Sequence, residues 1–219
     1  MAVTQAVRAM LADSERPGSL GGRARARRSA MFAATFPDLP SMRVLDLGGA
    51  PPFWRGFELA PAHVTVLNLV SVDTPEPWIE TVVGDACAPP ASISSRPYDL
   101  VVSNSVMEHV GGHVQRQRFA DVVHRSAERH WVQTPYRYFP VEPHWLCPGM
   151  QFLPLRARAA LTRHWPLSPG RASSIAEAVE NAAGVELLSV TEMRSYFPCS
   201  RIWFERSGGL VKSVTAVRS

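Results

Sequence analysis

The sequence predicts an α/β protein with a doubly wound, mostly parallel, seven-stranded sheet and helices on both faces. Three observations carry this. Short apolar runs near 43–47, 64–69, 80–83, 98–103 and 130–133 are separated by helical or loop segments, the pattern of strands joined by crossovers. The first run, Arg43 to Leu47, ends in an acid, Asp46, and a tight Gly48-Gly49 turn. Open sheets of this kind place a ligand crevice at that carboxyl end. Finally, a chain of 219 residues that is 46% hydrophobic can bury a substantial core unaided.

The elements follow in order. Residues 1–40 read as a basic helical arm and 41–219 as a single domain. Six arginines, at 8, 16, 23, 25, 27 and 28, face only Asp13 and Glu15, while residues 29–219 hold 17 basic and 17 acidic side chains. The whole net charge of +4 therefore sits in residues 1–28, and the body lacks the basic patch that tracks a nucleic acid backbone. Gly22 to Arg28 could touch phosphate, or form a solvated helix face leading into Met31, Phe32 and Phe36, which would dock on the sheet. Residues 114–129 read as a helix whose apolar face is Val114, Phe119, Val122, Val123 and Ala127. Leu155 to His164 reads as a short helix. Ser173 or Ser174 can cap another through Asn181, closed by Gly184. Residues 185–192 and 210–217 are predicted as the last two strands, with 200–206 as one or two helical turns closed by Gly208-Gly209.

The glycine turn limits the ligand. Without a Cβ, Gly48 and Gly49 let a ligand approach the backbone closely. Pro51 and Pro52 follow and have no N–H to donate, so the turn suits a dinucleotide pyrophosphate or a nucleoside triphosphate poorly.

Four segments in order then resemble the class I S-adenosylmethionine-dependent methyltransferases, of the type 11 kind: Arg43 to Pro52, Val64 to Leu69, Val82 to Ala86, and Tyr98 to Val110. The resemblance implies the class I methyltransferase fold, S-adenosylmethionine as cofactor and S-adenosylhomocysteine as product. It implies that Gly48, Gly49 and Ala50 lie against the methionine part, and that Asp46 orients this loop or holds the cofactor's ammonium through water. Asn68, twenty-two positions after Asp46, stands where the family has an acid for the ribose hydroxyls, with Asp73 a nearby carboxylate. Asp85 and Ala86 match the pair that reads the adenine. Leu69, Ser103 and Asn104 are expected beside the cofactor as well. The family's later glycines are Ala50 and Pro52 here, so the path of the loop departs from the common one.

Beyond the fifth strand the sequence is less generic. Thr134 to Pro154 is rich in aromatics and prolines, and with its continuation it is expected to form a substrate-covering insertion at about 134–170. An oxygen nucleophile must lose a proton as it is methylated, so a base within hydrogen-bond reach would help. His109 is the first candidate; His144, which Glu142 could orient, is the second; Glu108 could carry the polar contact instead. His109 and His113 are four apart, but Gly111-Gly112 disfavours the helix that would align them, and the sequence offers no third ligand, so no metal is expected.

The function expected is methylation of a small-molecule acceptor, by preference O-methylation of a sugar, glycolipid or secondary metabolite. The alternatives are a noncatalytic cofactor-binding partner protein and, more weakly, an RNA or protein methyltransferase. Ser103 to Val106 is not the motif that serves amino nucleophiles. No run is apolar and long enough to span a bilayer, and the first residues lack an apolar stretch with a cleavage site. Cys87, Cys147 and Cys199 are too sparse for a disulfide framework. A cytoplasmic protein is expected, with nucleic acid not its partner and a homodimer left open.

Overall fold

A computed structural model describes residues 20–57 and 60–219. Of the basic arm predicted over 1–40, Arg8 and Arg16 lie outside the described residues. The elements are α1 (Leu20–Thr35), β1 (Arg43–Leu47), α2 (Pro51–Trp54), β2 (His63–Asn68), β3 (Ile79–Val83), α3 (Ala91–Ser94) and β4 (Leu100–Asn104). They continue with α4 (His113–Ser126), β5 (Arg129–Pro135), β6 (Val141–Glu142), β7 (Cys147–Pro148) and α5 (Leu155–His164). The chain closes with α6 (Ile175–Ala183), α7 (Val190–Tyr196), β8 (Arg201–Ser207) and β9 (Leu210–Arg218).

Seven strands form one sheet in the order β3-β2-β1-β4-β5-β9-β8. β1 pairs in parallel with both β2 and β4, so the strand order reverses beside it, and a crevice opens at their carboxyl ends. Only β9, antiparallel to both β5 and β8, breaks the parallel run. Both faces are covered, which is why the central strands read as near-continuous apolar runs. On one face Leu45, Leu47, Val101 and Val132 pack under Phe119 and Val123 of α4 and Met193 of α7. On the other, Val44, Val64, Val102 and Trp131 pack under Phe32 of α1, Phe36 and Trp54. Each such side chain, fully buried, contributes about 1.5–3 kcal/mol. Phe32 and Phe36 dock as expected for the helix-face reading, and the Arg28 guanidinium, rather than standing free, pairs with buried Glu205 at 2.8 Å.

Three expectations are corrected. Residues 200–206 are not helical turns but edge strand β8, because Gly208 (φ +57) and Gly209 (φ +82) form a two-residue hairpin loop that returns the chain into β9. Ile-Trp-Phe suits such a strand. Residues 185–192 are not a ladder strand. Leu188 makes a lone bridge to Tyr136, and a capping box, Ser189 with Glu192, starts α7 instead. The carbonyls that a ladder would use are taken by arginines: Arg158 donates to Val185, Arg116 to Glu186 and Arg137 to Leu187, each at 2.7–2.8 Å. Finally, α4 ends at Ser126, and its buried face includes Arg116 while Val114 is exposed. α5 spans the residues predicted for it, and Ser174 caps α6, which Gly184 closes.

Candidate functional site

β1 delivers the chain into the turn at Gly48, whose φ of +75° costs an L residue about 1–2 kcal/mol. At Gly49 the constraint is space: a Cβ there would stand 1.9 Å from Oδ2 of Asp46. Asp46 is buried against the underside of the turn, where its Oδ2 accepts from Trp54 Nε1 at 2.8 Å. Its Oδ1 is buried with no hydrogen-bond partner among the described residues. Burial among Trp54 and its apolar neighbours pushes the carboxyl up to about 7, against the lowering by the Trp54 hydrogen bond. Asn68, at the end of β2, ties down the turn from the other side, its Nδ2 donating to the Gly49 carbonyl at 2.8 Å. Ala50 precedes α2, whose first two residues are the amide-less Pro51 and Pro52.

A cleft of about 340 Å³ opens above these strand ends. β1 contributes Gly48, β2 contributes Leu67, Asn68 and the exposed Leu69, and β3 contributes Gly84, Asp85 and Ala86. The segment after β4 supplies Ser105, Val106, His109 and Val110. Asp85 spends one oxygen on the Cys87 N–H at 2.8 Å, which leaves the other for a ligand. Ser103 and Asn104 do not line this cleft. Ser103 Oγ is buried and donates to the Leu47 carbonyl at 2.9 Å, and Asn104 Oδ1 accepts from Trp131 Nε1 at 3.3 Å. The wall they were expected to form is Ser105 and Val106. Ser105 sits at φ +55°, a strained position for a residue with a side chain, and its backbone N–H donates to Gln133. The signal for it was the break of the β4 run at Asn104-Ser105.

The histidines meet at the far end of the cleft. His109 Nε2 lies 3.1 Å from His144 Nε2, and its Nδ1 is 3.1 Å from the Gly184 carbonyl. His144 rides the turn between β6 and β7. Glu142, 2% exposed, grips that turn with both oxygens, one 2.6 Å from His144 Nδ1 and the other accepting from the Trp145 N–H at 2.9 Å. Beside the pair, Glu108 is 1% exposed: Thr134 Oγ1 donates to one oxygen at 2.9 Å, and the other is buried without a partner among the described residues. Burial pushes the Glu108 carboxyl up to about 7. The walls around His109, and then His144, hold its imidazole below the usual histidine range. Ligand atoms of Glu108, His109 and His144 all lie within 4.8 Å of one another. The pair that sequence spacing raised does not form: His113 Nδ1 is 2.8 Å from the Tyr196 hydroxyl instead.

A second cavity, about 290 Å³, lies behind Glu142 in the insertion, walled by Trp145, Met150, Arg137 and Arg158. Glu142 thus stands between this space and the histidine pair. Among the described residues no helix is long and apolar enough to cross a membrane.

No protein-family model matches the sequence, and no curated protein matches it in sequence. Solved structures are similar to it in fold. Magnesium protoporphyrin IX methyltransferase (ChlM) from Synechocystis PCC 6803, with bound SAH, is 14% identical, covering 90% of this chain and 82% of that one with a TM-score of 0.51. The N-methyltransferase NodS from Bradyrhizobium japonicum WM9, in complex with S-adenosyl-L-homocysteine, is 12% identical over 88% and 85%, TM-score 0.52. An S-adenosylmethionine dependent methyltransferase from Mesorhizobium loti is 14% identical over 89% and 98%, TM-score 0.54. The chain therefore has the fold of the class I methyltransferases.

Proposed function

We propose that the protein is an S-adenosylmethionine-dependent methyltransferase that methylates a hydroxyl oxygen of a small molecule such as a sugar, glycolipid or secondary metabolite. The observation that carries this is the continuity of the site: His109 lines the cleft formed by Gly48, Asn68 and Asp85, and it contacts His144 of the insertion. The cofactor fits the residues present. Gly48 lines the cleft where a Cβ would press on Val106 across it, and the cleft's volume is in the range of small-molecule sites. S-adenosylmethionine, when bound, supplies an electrophilic methyl group on a cationic sulfur.

The chain's own residues do the rest. Gly48 would give close backbone contact to the methionine part, Asp85 would accept from the adenine amine, and Ala86 would donate its backbone N–H to the ring. Asn68 holds the turn, and its Oδ1, which accepts from the Val70 N–H at 3.5 Å, has a second lone pair for a ribose hydroxyl. Ser105, Val106 and Val110 would exclude water from the transfer path. His109 and His144 stand where an acceptor hydroxyl would lose its proton, and Glu142 would stabilise a charge arriving on His144. The test is transfer of labelled methyl from S-adenosylmethionine to a panel of hydroxyl-bearing acceptors and to the source cell's own extract. Label is expected in a small hydroxylated product. Tight cofactor binding with no transfer to any component would favour the noncatalytic alternative.

A further inference from the structure

The histidine pair presents a hydrogen-bonding conflict. The Gly184 carbonyl can only accept, so His109 Nδ1 carries the hydrogen. The Glu142 carboxylate likewise takes the hydrogen of His144 Nδ1. In the neutral rings both Nε2 atoms then bear lone pairs, and these two atoms face each other at 3.1 Å. Two acceptors at that distance need something positive between them. Beside them stands Glu108, buried, with a carboxylate oxygen that no described donor satisfies.

We infer that Glu108, His109 and His144 bind a divalent transition-metal cation, which receives the acceptor's hydroxyl oxygen at the end of the cofactor cleft. This rests on the methyl-transfer reading for its role, though not for its existence. The geometry fits a single ion. Imidazole nitrogens about 2.0–2.1 Å from a metal, at ligand angles of about 90–110°, stand roughly 2.8–3.4 Å apart, which brackets the separation observed. The partners of the Nδ1 atoms, a carboxylate and a backbone carbonyl, are those that fix ring orientation and tautomer in metal-ligating histidines. Two imidazoles and one carboxylate select manganese, iron, cobalt or zinc over magnesium or calcium. Three protein ligands leave positions open, and exposed His109 puts them on the cleft side, where His109 lines the same wall as Val106 and Val110. A hydroxyl bound there would release its proton to solvent water more readily, the metal taking the place of a histidine base, and one with a neighbouring oxygen could fill two open positions. The preferred acceptor is therefore a vicinal diol, catechol or hydroxy acid rather than an isolated alcohol. Glu142 is a positioning residue that acts through His144.

The test titrates chelator-stripped, tag-free full-length protein with Co²⁺, followed by visible absorption and calorimetry, with S-adenosylhomocysteine affinity measured alongside. One equivalent of Co²⁺ should bind, with the band pattern of mixed nitrogen and oxygen ligands. His109→Ala and His144→Ala should each abolish stoichiometric binding, and His144→Ala, which lies outside the lining of the cofactor cleft, should leave S-adenosylhomocysteine affinity unchanged. Glu142→Gln should weaken Co²⁺ by about 10–100-fold. Wild-type protein that binds S-adenosylhomocysteine but no equivalent of Co²⁺, Mn²⁺ or Zn²⁺ would overturn the metal site and leave a proton shared between the rings. Protein that binds Co²⁺ through these residues but no S-adenosylhomocysteine would keep the metal site and overturn the methyltransferase reading.

Discussion

On the cofactor side of the cleft, every lining group sits within six positions of the carboxyl end of a parallel strand: Gly48 after β1, Asn68 and Leu69 at β2, Asp85 after β3, Ser105 to Val110 after β4. On the insertion side the ladder is short, two residues each of β6 and β7, and side chains fix the rest. His144 is held by the carboxylate of Glu142, and the segment at 185–187 by three arginine side chains on successive carbonyls. One region takes its geometry from backbone pairing and the other from buried charge. On the proposed function, the first would hold the cofactor whatever the acceptor, while the second could change its acceptor without disturbing the sheet.

The comparison breaks most sharply at His144. If the insertion serves only chemistry, His144→Ala should lower turnover by roughly 10²–10⁴-fold while S-adenosylhomocysteine affinity stays constant. An equal loss of cofactor binding would merge the two regions.

Asp46 is the exception on the cofactor side, a buried charge within the ladder region. Its native pKa, about 7, lies above the ordinary 3.8, so between these values the folded state holds a proton that the unfolded state has lost. Stability from this group is full below about pH 4 and is lost as pH rises through 7, on the order of 4 kcal/mol in total. Glu108 adds a slope of the same sign, so the check is the difference between wild type and Asp46→Asn in denaturant unfolding across pH 4–8. The variant should lose part of the slope.

Gly49→Ala tests the turn by space. The added carbon collides with Asp46, so the Trp54 hydrogen bond or the turn must shift, at a cost of about 1–3 kcal/mol in unfolding and with weakened cofactor binding. Turnover per bound cofactor should fall far less than in the His144 variant. A smaller effect is expected at Asn68. Sequence alone suggests that Asp would improve the ribose contact there, but the amide donates to the Gly49 carbonyl. Asn68→Asp should therefore cost about 1 kcal/mol of S-adenosylhomocysteine affinity by calorimetry.

This difference also explains what could be read from the sequence. The central strands β1, β2 and β4 were legible because burial on both faces writes largely apolar runs, and the cleft followed because its residues adjoin those runs. The meeting of His109 with His144, 35 positions away, was not legible, since it depends on how a proline-bearing turn is gripped by Glu142. Residues 185–192 looked like a strand because Val-Glu-Leu-Leu has strand composition. The arginines that take its carbonyls come from α4, α5 and the segment after β5, and no local pattern reports them. Two features were available in the sequence and decide real structure: Gly208-Gly209 between two β-prone runs, and the Ser189-x-x-Glu192 box. Trp54, whose indole fixes Asp46, gives no signal beyond an aromatic in a short helix.

The proposed function requires that the strand ends around Gly48, Asn68 and Asp85 form a pocket for S-adenosylmethionine. Isothermal calorimetry of the purified chain with S-adenosylhomocysteine tests it most directly. One site per chain is expected, with no binding of NAD or ATP and a loss of about 1–3 kcal/mol in Asp85→Ala, the scale for a missing hydrogen bond to a buried polar group. Folded protein that takes up neither S-adenosylmethionine nor S-adenosylhomocysteine, or binds them undiminished when Asp85 is replaced, would contradict it.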